Sequence, residues 1–389
     1  MKDAWKIENL NLQKFVSALT YNGFYLMHLS FEIFSLNWRN GIVVRSPNWL
    51  GDAIMALPAM TCLKKVLPER CGFFVVCPDN LSPLYSSIPW VSKIITTGSG
   101  HSSLNREKVR ELSELGAGVG FLFVNSFRSA WYFWKTVPKV YGASNGLRNI
   151  LLTKSFKVKW HKKKSYSEEH QSYKYLSMVY ELGCKKWDGI YPEFILIDSS
   201  ELRNQELKTF LQAGNVMVVA PGAAYGLAKR WSADSYNEVC RYWLEEKEGK
   251  IVVVGAENEK ETAKNVASGL NTSHVLNLAG KTNLKELMYI LKKSDICISN
   301  DSGIMHLGSA LNTKGIAIFG STDPFATGPL SKNWKVLFKK QSCAPCFSRE
   351  CINAEKNYKC FQAITPADVI SAIEKINSFW PLIGTSFTN

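Results

Sequence analysis

The features that this sequence lacks set the first limits on its function. It has no run of eighteen or more uncharged apolar residues, so we expect no helix that crosses a membrane. Ten cysteines among 389 residues are too few for a disulfide scaffold and are typical of the reducing cytoplasm. No Asp-x-Asp pair occurs, although such pairs commonly hold metal-bound nucleotides. A bound diphosphate would therefore have to be neutralised by side-chain cations and helix amides.

Acidic residues are also scarce, with 33 Asp and Glu against 47 Lys and Arg, which gives a formal net charge of +14. This excess predicts an anionic partner, which is a nucleic acid, a nucleotide ligand, or an anionic membrane and its lipids. The remaining composition is that of a globular protein, 46% hydrophobic and 21% charged. The length is sufficient for two or three domains.

Residues 1–40 differ from the rest of the chain. Bulky apolar side chains recur there at helical spacing, from Leu12 to Trp38, and predict an aromatic helix. Asp3, Glu8 and the lack of a small-residue cleavage site are unlike a secretory signal. We expect this helix either to pack on the body of the protein or to lie in a membrane interface.

From residue 41 onward, apolar strands alternate with helical segments, which predicts an α/β fold with parallel sheets covered on both faces. The sequence pattern changes at 187–200, where Asp-Gly and Tyr-Pro pairs indicate a domain boundary. The alternation of strands and helices begins again after it. Two doubly wound domains that face each other place a ligand cleft between their strand ends. The predicted units are an N-terminal helical extension over 1–40, one domain over 41–190 and a second over 191–389.

The stretch 298–331 contains a candidate anion site. Its buried strand breaks at Asp301, Ser302 and Gly303 into a helical pattern. Amides at a helix start have no intrahelical acceptor and lie at the positive end of the dipole, so those of Ser302 and Gly303 can hold a phosphate. His306 lies on the same helix face as Ser302 and can reach the same anion. Taken alone, this pattern is more typical of an ordinary helix cap.

Three motifs occur together and in order, RSPNWLGD at 45–52, PGAAYGLAKRW at 221–231 and NDSGIMH at 300–306. Their combination resembles the lipopolysaccharide heptosyltransferases of glycosyltransferase family 9, and within them the type II enzymes. The resemblance spans 41–376. It extends to four shorter segments, NSFRSA at 125–130, GLR at 146–148, HQ at 170–171 and GSTDP at 320–324.

The resemblance implies a GT-B fold, two Rossmann-like domains around a cleft. It also implies an enzyme that transfers L-glycero-D-manno-heptose from ADP-heptose with inversion. The implied acceptor is the heptosyl-Kdo2-lipid A inner core, reached from the cytoplasmic face of the inner membrane. No nucleic acid is expected as a partner. Two positions depart from the family pattern, because Ala224 replaces a common acidic residue and Leu227 a common proline.

Three alternatives remain open at this point. A type I or III heptosyltransferase, or a relative that uses another nucleotide sugar, is the nearest. A non-catalytic nucleotide or nucleic-acid binder would explain the charge but not the motifs around Asp52 and Lys229 together. A nucleotide-sugar epimerase of similar fold would act with no acceptor present.

The family motifs also imply roles for two residues. An inverting transfer is a single displacement that needs one carboxylate to take the proton of the acceptor hydroxyl. In the family this is the aspartate of the Gly-Asp pair after the first strand, which is Asp52 here; its alternative role is to cap the helix. Lys229 is expected to meet the donor diphosphate and to offset the charge that grows as ADP leaves.

The remaining candidates bind the two substrates. Glu257 is expected to accept the ribose hydroxyls, with Glu259 as its competitor. Basic residues are expected to bind the phosphate and carboxylate groups of the acceptor. The donor-binding candidates are Ser302, Gly303, His306, Asp301 and Glu257, and the acceptor-binding candidates are Arg128 and Arg148.

Four cysteines, Cys343, Cys346, Cys351 and Cys360, have the spacing C-x2-C-x4-C-x8-C, which on its own suggests a zinc knuckle. Similar cysteines in the type II relatives have no catalytic role that transfers to this chain. We therefore expect structural thiols and a metal-independent enzyme without a cofactor, and bound zinc is the alternative.

Overall fold

The structure is a computed structural model, and it describes residues 31–98, 104–158, 170–212, 214–224, 226–353, 355 and 357–378. Most of the aromatic helix predicted at the N-terminus lies outside these residues. The part that is described begins with a 3-10 helix, Phe31–Ser35, and packs on the first sheet. Ile33 is buried there, and Glu32 forms an ion pair with Lys154 at 3.2 Å.

The first half of the chain forms a parallel six-stranded sheet with helices on both faces. The strands are β1 Gly41–Arg45, β2 Gly72–Cys77, β3 Lys93–Thr96, β4 Val119–Leu122, β5 Lys139–Ala143 and β6 Lys154–Phe156. The helices are α1 Leu50–Val66, α2 Ser82–Ser86, α3 Arg106–Glu114, α4 Phe127–Thr136 and α5 Ser172–Leu182. Every residue of β1 and β4 is buried, because both faces of a parallel sheet are covered.

The second half forms another parallel six-stranded sheet. Its strands are β7 Val216–Ala220, β8 Lys250–Val253, β9 Val275–Asn277, β10 Ile296–Asn300, β11 Gly315–Phe319 and β12 Trp334–Phe338. Its helices are α6 Gln205–Gln212, α7 Ala233–Glu245, α8 Lys260–Val266, α9 Leu284–Lys293, α10 Gly303–Ala310, α11 Pro324–Thr327, α12 Lys359–Gln362 and α13 Pro366–Ser378. The predicted fold of two doubly wound α/β units is confirmed.

The strand order places the three sequence motifs at the centre of each sheet. The orders are β3-β2-β1-β4-β5-β6 and β12-β11-β10-β7-β8-β9, so the order of successive strands reverses between β1 and β4 and between β7 and β10. Open α/β sheets bind ligands at the carboxyl ends of the strands at such reversals. The motif at 45–52 follows β1, the motif at 221–231 follows β7, and the motif at 300–306 follows β10.

The two halves meet where the N-termini of α1 and α10 approach each other. A Cβ atom built on Gly303 would lie 3.0 Å from Leu50 Cβ and 3.3 Å from the amide nitrogen of Gly51. A Cβ atom on Gly51 would lie 3.0 Å from Cδ2 of His306. Glycine at both positions therefore lets the helix that carries Asp52 contact the helix that carries His306.

Within the described ranges, no helix is long and apolar enough to cross a bilayer. The lysine-rich stretch 154–164 begins as part of the first sheet. Residues Lys154–Phe156 form β6, an edge strand that pairs with β5, and Phe156 is buried. The residues after 158 in that stretch lie outside the description.

Candidate active site

Asp52 lies in the first turn of α1, just beyond the carboxyl end of β1, and its side chain is half-buried. Its carboxylate accepts a hydrogen bond from Nε2 of Gln171. The backbone N–H of Gln171 donates to the carbonyl of Ala326, in α11 of the second unit, at 2.8 Å. His170 also contacts that unit, since its Nε2 lies 2.8 Å from the carbonyl oxygen of Gly328. The carboxylate is therefore oriented by a segment that bridges both halves of the molecule.

The environment of Asp52 suits a base. Burial raises the pKa of its carboxyl group, because the ionised form loses hydration. The charges of Lys174 and Lys229 and the hydrogen bond from Gln171 act in the opposite direction but do not cancel this rise. A carboxylate with increased proton affinity is a better proton acceptor at neutral pH. The influence of Lys229 also places a cation of the second unit close to the candidate base.

The raised pKa predicts an acid limb in the pH profile of kcat/KM. Asp52 must be ionised to accept a proton, so activity falls as the pH falls through its pKa, which lies above the ordinary value of 3.8. The measurement is the initial rate of the reaction against pH, at substrate concentrations below KM. The residual activity of Asp52→Asn should lack this limb, and an unchanged limb in that variant would assign the titration to another group.

Lys229 forms a buried ion pair across the second unit. It ends a 3-10 helix, Leu227–Lys229, and its Nζ lies 2.6 Å from Oδ2 of Asp301. Their side chains are 15% and 5% exposed. Burial alone would raise the pKa of Asp301, but the charge and hydrogen bond of Lys229, together with His306 and the Thr322 hydroxyl, lower it. The aspartate is thus ionised and fixes the position of the ammonium group.

These contacts bear on the role of Asp301, which was predicted to bind the donor. Its Oδ2 already accepts from Lys229 and, at 2.7 Å, from Oγ1 of Thr322 in the loop after β11. A carboxylate also repels a diphosphate. We therefore infer that Asp301 positions Lys229 and does not itself contact the donor phosphates.

Asn300 is a site residue to which the sequence analysis gave no separate role. It is buried at the end of β10, and its Oδ1 accepts from the backbone N–H of Trp231 at 3.1 Å. Its Nδ2 donates to the carbonyl of Pro221 at 2.8 Å. Both ends of the 221–231 motif are therefore attached to the end of β10. In the sequence, this role was indicated by the position of Asn300 directly before the Asp-Ser-Gly turn.

The start of α10 has the features expected of an anion site. Ser302 is the N-cap, and its Oγ accepts from the backbone N–H of Met305. The amides that precede Met305 in the first turn have no intrahelical acceptor, and that of Gly303 lies where α1 and α10 meet. His306 is buried, and loss of hydration lowers its pKa to about 4. The imidazole is neutral at pH 7, so it offers a hydrogen bond to a phosphate but no positive charge.

The structure distinguishes the two glutamates after β8. Glu259 is buried, accepts from the backbone N–H of Ala256 at 2.8 Å and fills the space beside Gly222. Glu257 is exposed at the carboxyl end of the strand and pairs with Lys260 at 2.5 Å. Of the two carboxylates, that of Glu257 is accessible to a ligand, which favours it for the ribose hydroxyls.

A cavity of about 110 Å³ opens at the strand reversal of the first sheet. It is lined by residues of the loop after β1, of the segment after β4 and of α4. Arg128 is exposed at its wall, where it joins two polar residues of the first motif, Arg45 and Asn48. This grouping of two arginines supports an acceptor role for Arg128.

Arg148 does not share that position. Its side chain is 1% exposed beneath a 3-10 helix, Gly146–Leu151, and its Nη1 donates to the carbonyl of Ala143 at 2.6 Å. Loss of hydration lowers the pKa of Arg148 to about 10. The predicted direct contact with the acceptor is therefore not available in this conformation, and the residue instead supports the loop after β5.

The zinc alternative concerns the thiols of Cys343, Cys346, Cys351 and Cys360. Among the residues that the structure describes, no group of three or more His, Cys, Asp or Glu side chains is placed to hold a metal ion. All four thiols are free, and burial raises the pKa of Cys360 to about 11, so this thiol is protonated at neutral pH.

We predict that activity is independent of added metal. Because we assign neutralisation of the diphosphate to the ammonium of Lys229, dialysis against a chelator should leave the rate within about twofold. Metal analysis of the same sample serves as the control for removal. A rate that collapses in chelator and returns with one specific ion would contradict the prediction.

The contact between α1 and α10 gives a further prediction. Gly303→Ala places a methyl group against Leu50 and Gly51 and pushes the two helices apart by a few tenths of an ångström. Because the reacting groups come from both helices, we expect kcat/KM to fall about tenfold or more. Affinity for ADP alone, which requires only the second unit, should change much less. Equal losses in both quantities would mean that the substitution damages the anion site itself.

Two doubly wound units whose strand ends face each other across a cleft define the GT-B fold. Residues 108–357 match the family described as glycosyltransferase family 9 (heptosyltransferase). The chain belongs to this family, and it is a glycosyltransferase.

Similar proteins agree with this assignment. Lipooligosaccharide heptosyltransferase 2 of Campylobacter jejuni serotype O:6 is 29% identical over 87% of this chain and 99% of its own length. E. coli ADP-heptose LPS heptosyltransferase II has the same fold, with a TM-score of 0.67 and 23% identity over 86% of this chain and 98% of that one. E. coli heptosyltransferase WaaC, solved with ADP, has a TM-score of 0.62 and 19% identity over 86% and 99%.

Proposed function

We propose that this chain transfers L-glycero-D-manno-heptose, with inversion, from ADP-heptose to the heptosyl-Kdo2-lipid A inner core of lipopolysaccharide. The observation that carries the proposal is that the start of α1, which holds Asp52, contacts the start of α10 at Gly303, two residues after Asp301, the ion-pair partner of Lys229. A transfer between two substrates needs both groups at one point in the cleft. The names of the relatives, heptosyltransferase 2, support the type of acceptor.

The reaction follows from the positions of these groups. The acceptor hydroxyl oxygen attacks the anomeric carbon while its proton passes to the Asp52 carboxylate. The bond from the anomeric carbon to the diphosphate oxygen breaks on the opposite face, and its electron pair leaves with ADP. Lys229 and the first amides of α10 stabilise the negative charge that develops there. Neutral His306 adds a hydrogen bond to the same group.

The two units would have different substrates. The unit over 41–190 contains Asp52 and the cavity at whose wall Arg128 lies, and we assign the acceptor to it. The unit over 191–389 contains Lys229, Glu257 and the start of α10, and we assign ADP-heptose to it. Because the acceptor is a membrane glycolipid, the enzyme would work as a peripheral protein at the cytoplasmic face of the inner membrane.

The proposal is tested by ADP release from ADP-L-glycero-β-D-manno-heptose, with and without a monoheptosylated Kdo2-lipid A acceptor. We expect release that depends on the acceptor and stops when the acceptor is exhausted. Release at the same rate without acceptor would support a hydrolase or an epimerase. No release, with ADP still bound in calorimetry, would leave a nucleotide-binding cleft with another substrate.

A further inference from the structure

We propose that the outer surface of α4 and the neighbouring 3-10 helix docks the first unit on an anionic lipid bilayer. This inference rests on the proposed function, because it names the surface through which the enzyme reaches a lipid acceptor. The residues that form it, called here the aromatic face, are Phe127, Trp131, Trp134, Leu147 and Ile150. They are five of the ten large hydrophobic side chains that are strongly exposed in the described structure.

The aromatic face is a continuous surface. Phe127, Trp131 and Trp134 are spaced i, i+4 and i+7 along α4, so they share one side of the helix, whereas Ala130 and Phe133 are buried on the other. The rings of Trp131 and Trp134 stack, with centroids 5.4 Å apart. Leu147 and Ile150, on the 3-10 helix packed against α4, are 79% and 77% exposed.

The charge around this face identifies its partner. The described residues 115–158 contain six Lys and Arg and no Asp or Glu. Among them, Arg128, Lys135 and Lys139 are exposed on or next to α4. These exposed cations complement an anionic bilayer, which attracts basic residues within a Debye length.

The arrangement of rings and cations has the form that membrane interfaces favour. Nζ of Lys135 lies 4.6 Å from the centroid of the Trp131 ring, so the ammonium and the indole occupy adjacent positions. Indole rings collect at the level of lipid headgroups, where lysine stems lie along apolar surface and their charges reach phosphate. Exposed tryptophans with lysines beside them are therefore more typical of a protein surface that contacts a bilayer than of one that faces water.

The aromatic face also lies close to the proposed acceptor site. The first turn of α4 contributes Ser126, Arg128 and Ser129 to the cavity, and the following turns present Trp131 and Trp134 outward. A bilayer at this face would place the headgroup sugars of an embedded glycolipid next to the cavity. The helix thus connects lipid contact to acceptor binding.

The test uses the full chain and sedimentation with vesicles of phosphatidylcholine alone or with phosphatidylglycerol added. The triple variant Trp131→Ala, Trp134→Ala, Ile150→Ala should lower the partition coefficient on anionic vesicles at least tenfold. The matched control, Ile190→Ala, Ile195→Ala, Ile352→Ala, removes three exposed apolar side chains elsewhere and should stay within twofold. Equal binding by the triple variant and the wild type would overturn the proposal.

A second variant keeps the test independent of folding losses. Lys135→Glu with Lys139→Glu keeps every apolar side chain, and it should lose the preference for anionic over neutral vesicles. If the wild type binds both kinds of vesicle equally, or binds neither, the inference fails. A wild type that binds neither and is a dimer, with a triple variant that is a monomer, would show that the face joins two copies of the chain.

Activity separates this inference from the proposed function. On a water-soluble, deacylated acceptor the triple variant should match the wild-type kcat/KM within about twofold, whereas on acceptor embedded in vesicles it should lose tenfold or more. Equal activity on both acceptors would overturn the docking role. If the wild type transfers no sugar to either acceptor, the proposed function fails while the vesicle result still decides whether the face binds lipid.

Discussion

Asp52→Asn is expected to lower kcat by about a hundredfold or more, with the affinity for ADP-heptose nearly unchanged. The amide has almost the same shape as the carboxylate and still pairs with Gln171, but it cannot take the acceptor proton. A hundredfold loss corresponds to about 2.7 kcal/mol of transition-state stabilisation. The measurements are steady-state ADP release and calorimetric titration of the donor.

A matched control for this variant is Asp188→Asn. Asp188 pairs with Lys65 at 2.6 Å, near the C-terminal end of the helix that carries Asp52 at its start, and both partners are exposed. Its neutralisation should therefore leave kcat unchanged. If Asp52→Asn retains near-normal turnover, Asp52 is only a helix-start residue and the base must be sought elsewhere in the cleft.

Lys229→Met is expected to lower kcat/KM by about 100- to 1000-fold, because it removes the buried cation to which we assign stabilisation of the leaving diphosphate. The loss should appear in kcat as well as in donor affinity, since charge on ADP grows in the transition state. The variant also leaves Asp301 buried without its ion-pair partner, so a loss of thermal stability is expected as well. The double variant Lys229→Met, Asp301→Asn should regain stability but not activity.

The control for Lys229 is Lys339→Met. Lys339 forms an ion pair with Asp368 of the same 2.6 Å length, but between β12 and the start of α13 and with both side chains more exposed. Its removal should leave the kinetics unaltered. A Lys229→Met enzyme with wild-type kcat and only a raised KM would show that the lysine stabilises the bound donor and the transition state equally.

The sequence was sufficient to predict the fold because the central strands are unbroken apolar runs. A polar motif with glycine follows each of β1, β7 and β10. These two features of the sequence predicted the parallel sheets and the positions of the motifs at their strand ends. The outer strands β5, β6 and β12 were not identified. β6 has three residues and begins with Lys154, and β12 contains a lysine and is only half-buried, so neither shows the pattern of a buried strand.

The side-chain roles were predictable only where a motif fixed them. The pairing of Lys229 with Asp301 joins residues 72 positions apart, and no spacing rule connects them. The bridge from Gln171 to Asp52 crosses 119 positions and depends on how the two units face each other. Arg148 is a residue for which the motif suggested exposure and the structure shows burial. An arginine after a Gly-Leu pair gives no sign that its side chain will be buried within a 3-10 helix.

The proposed reaction of the cleft adds one heptose to an acceptor that already carries one. The most direct test is the mass of the lipid after incubation with ADP-heptose, for Kdo2-lipid A with no heptose and with one heptose. A gain of a single heptose on the monoheptosylated lipid alone, absent with Asp52→Asn, is the predicted result. A gain on bare Kdo2-lipid A, or no gain on either lipid, would contradict it.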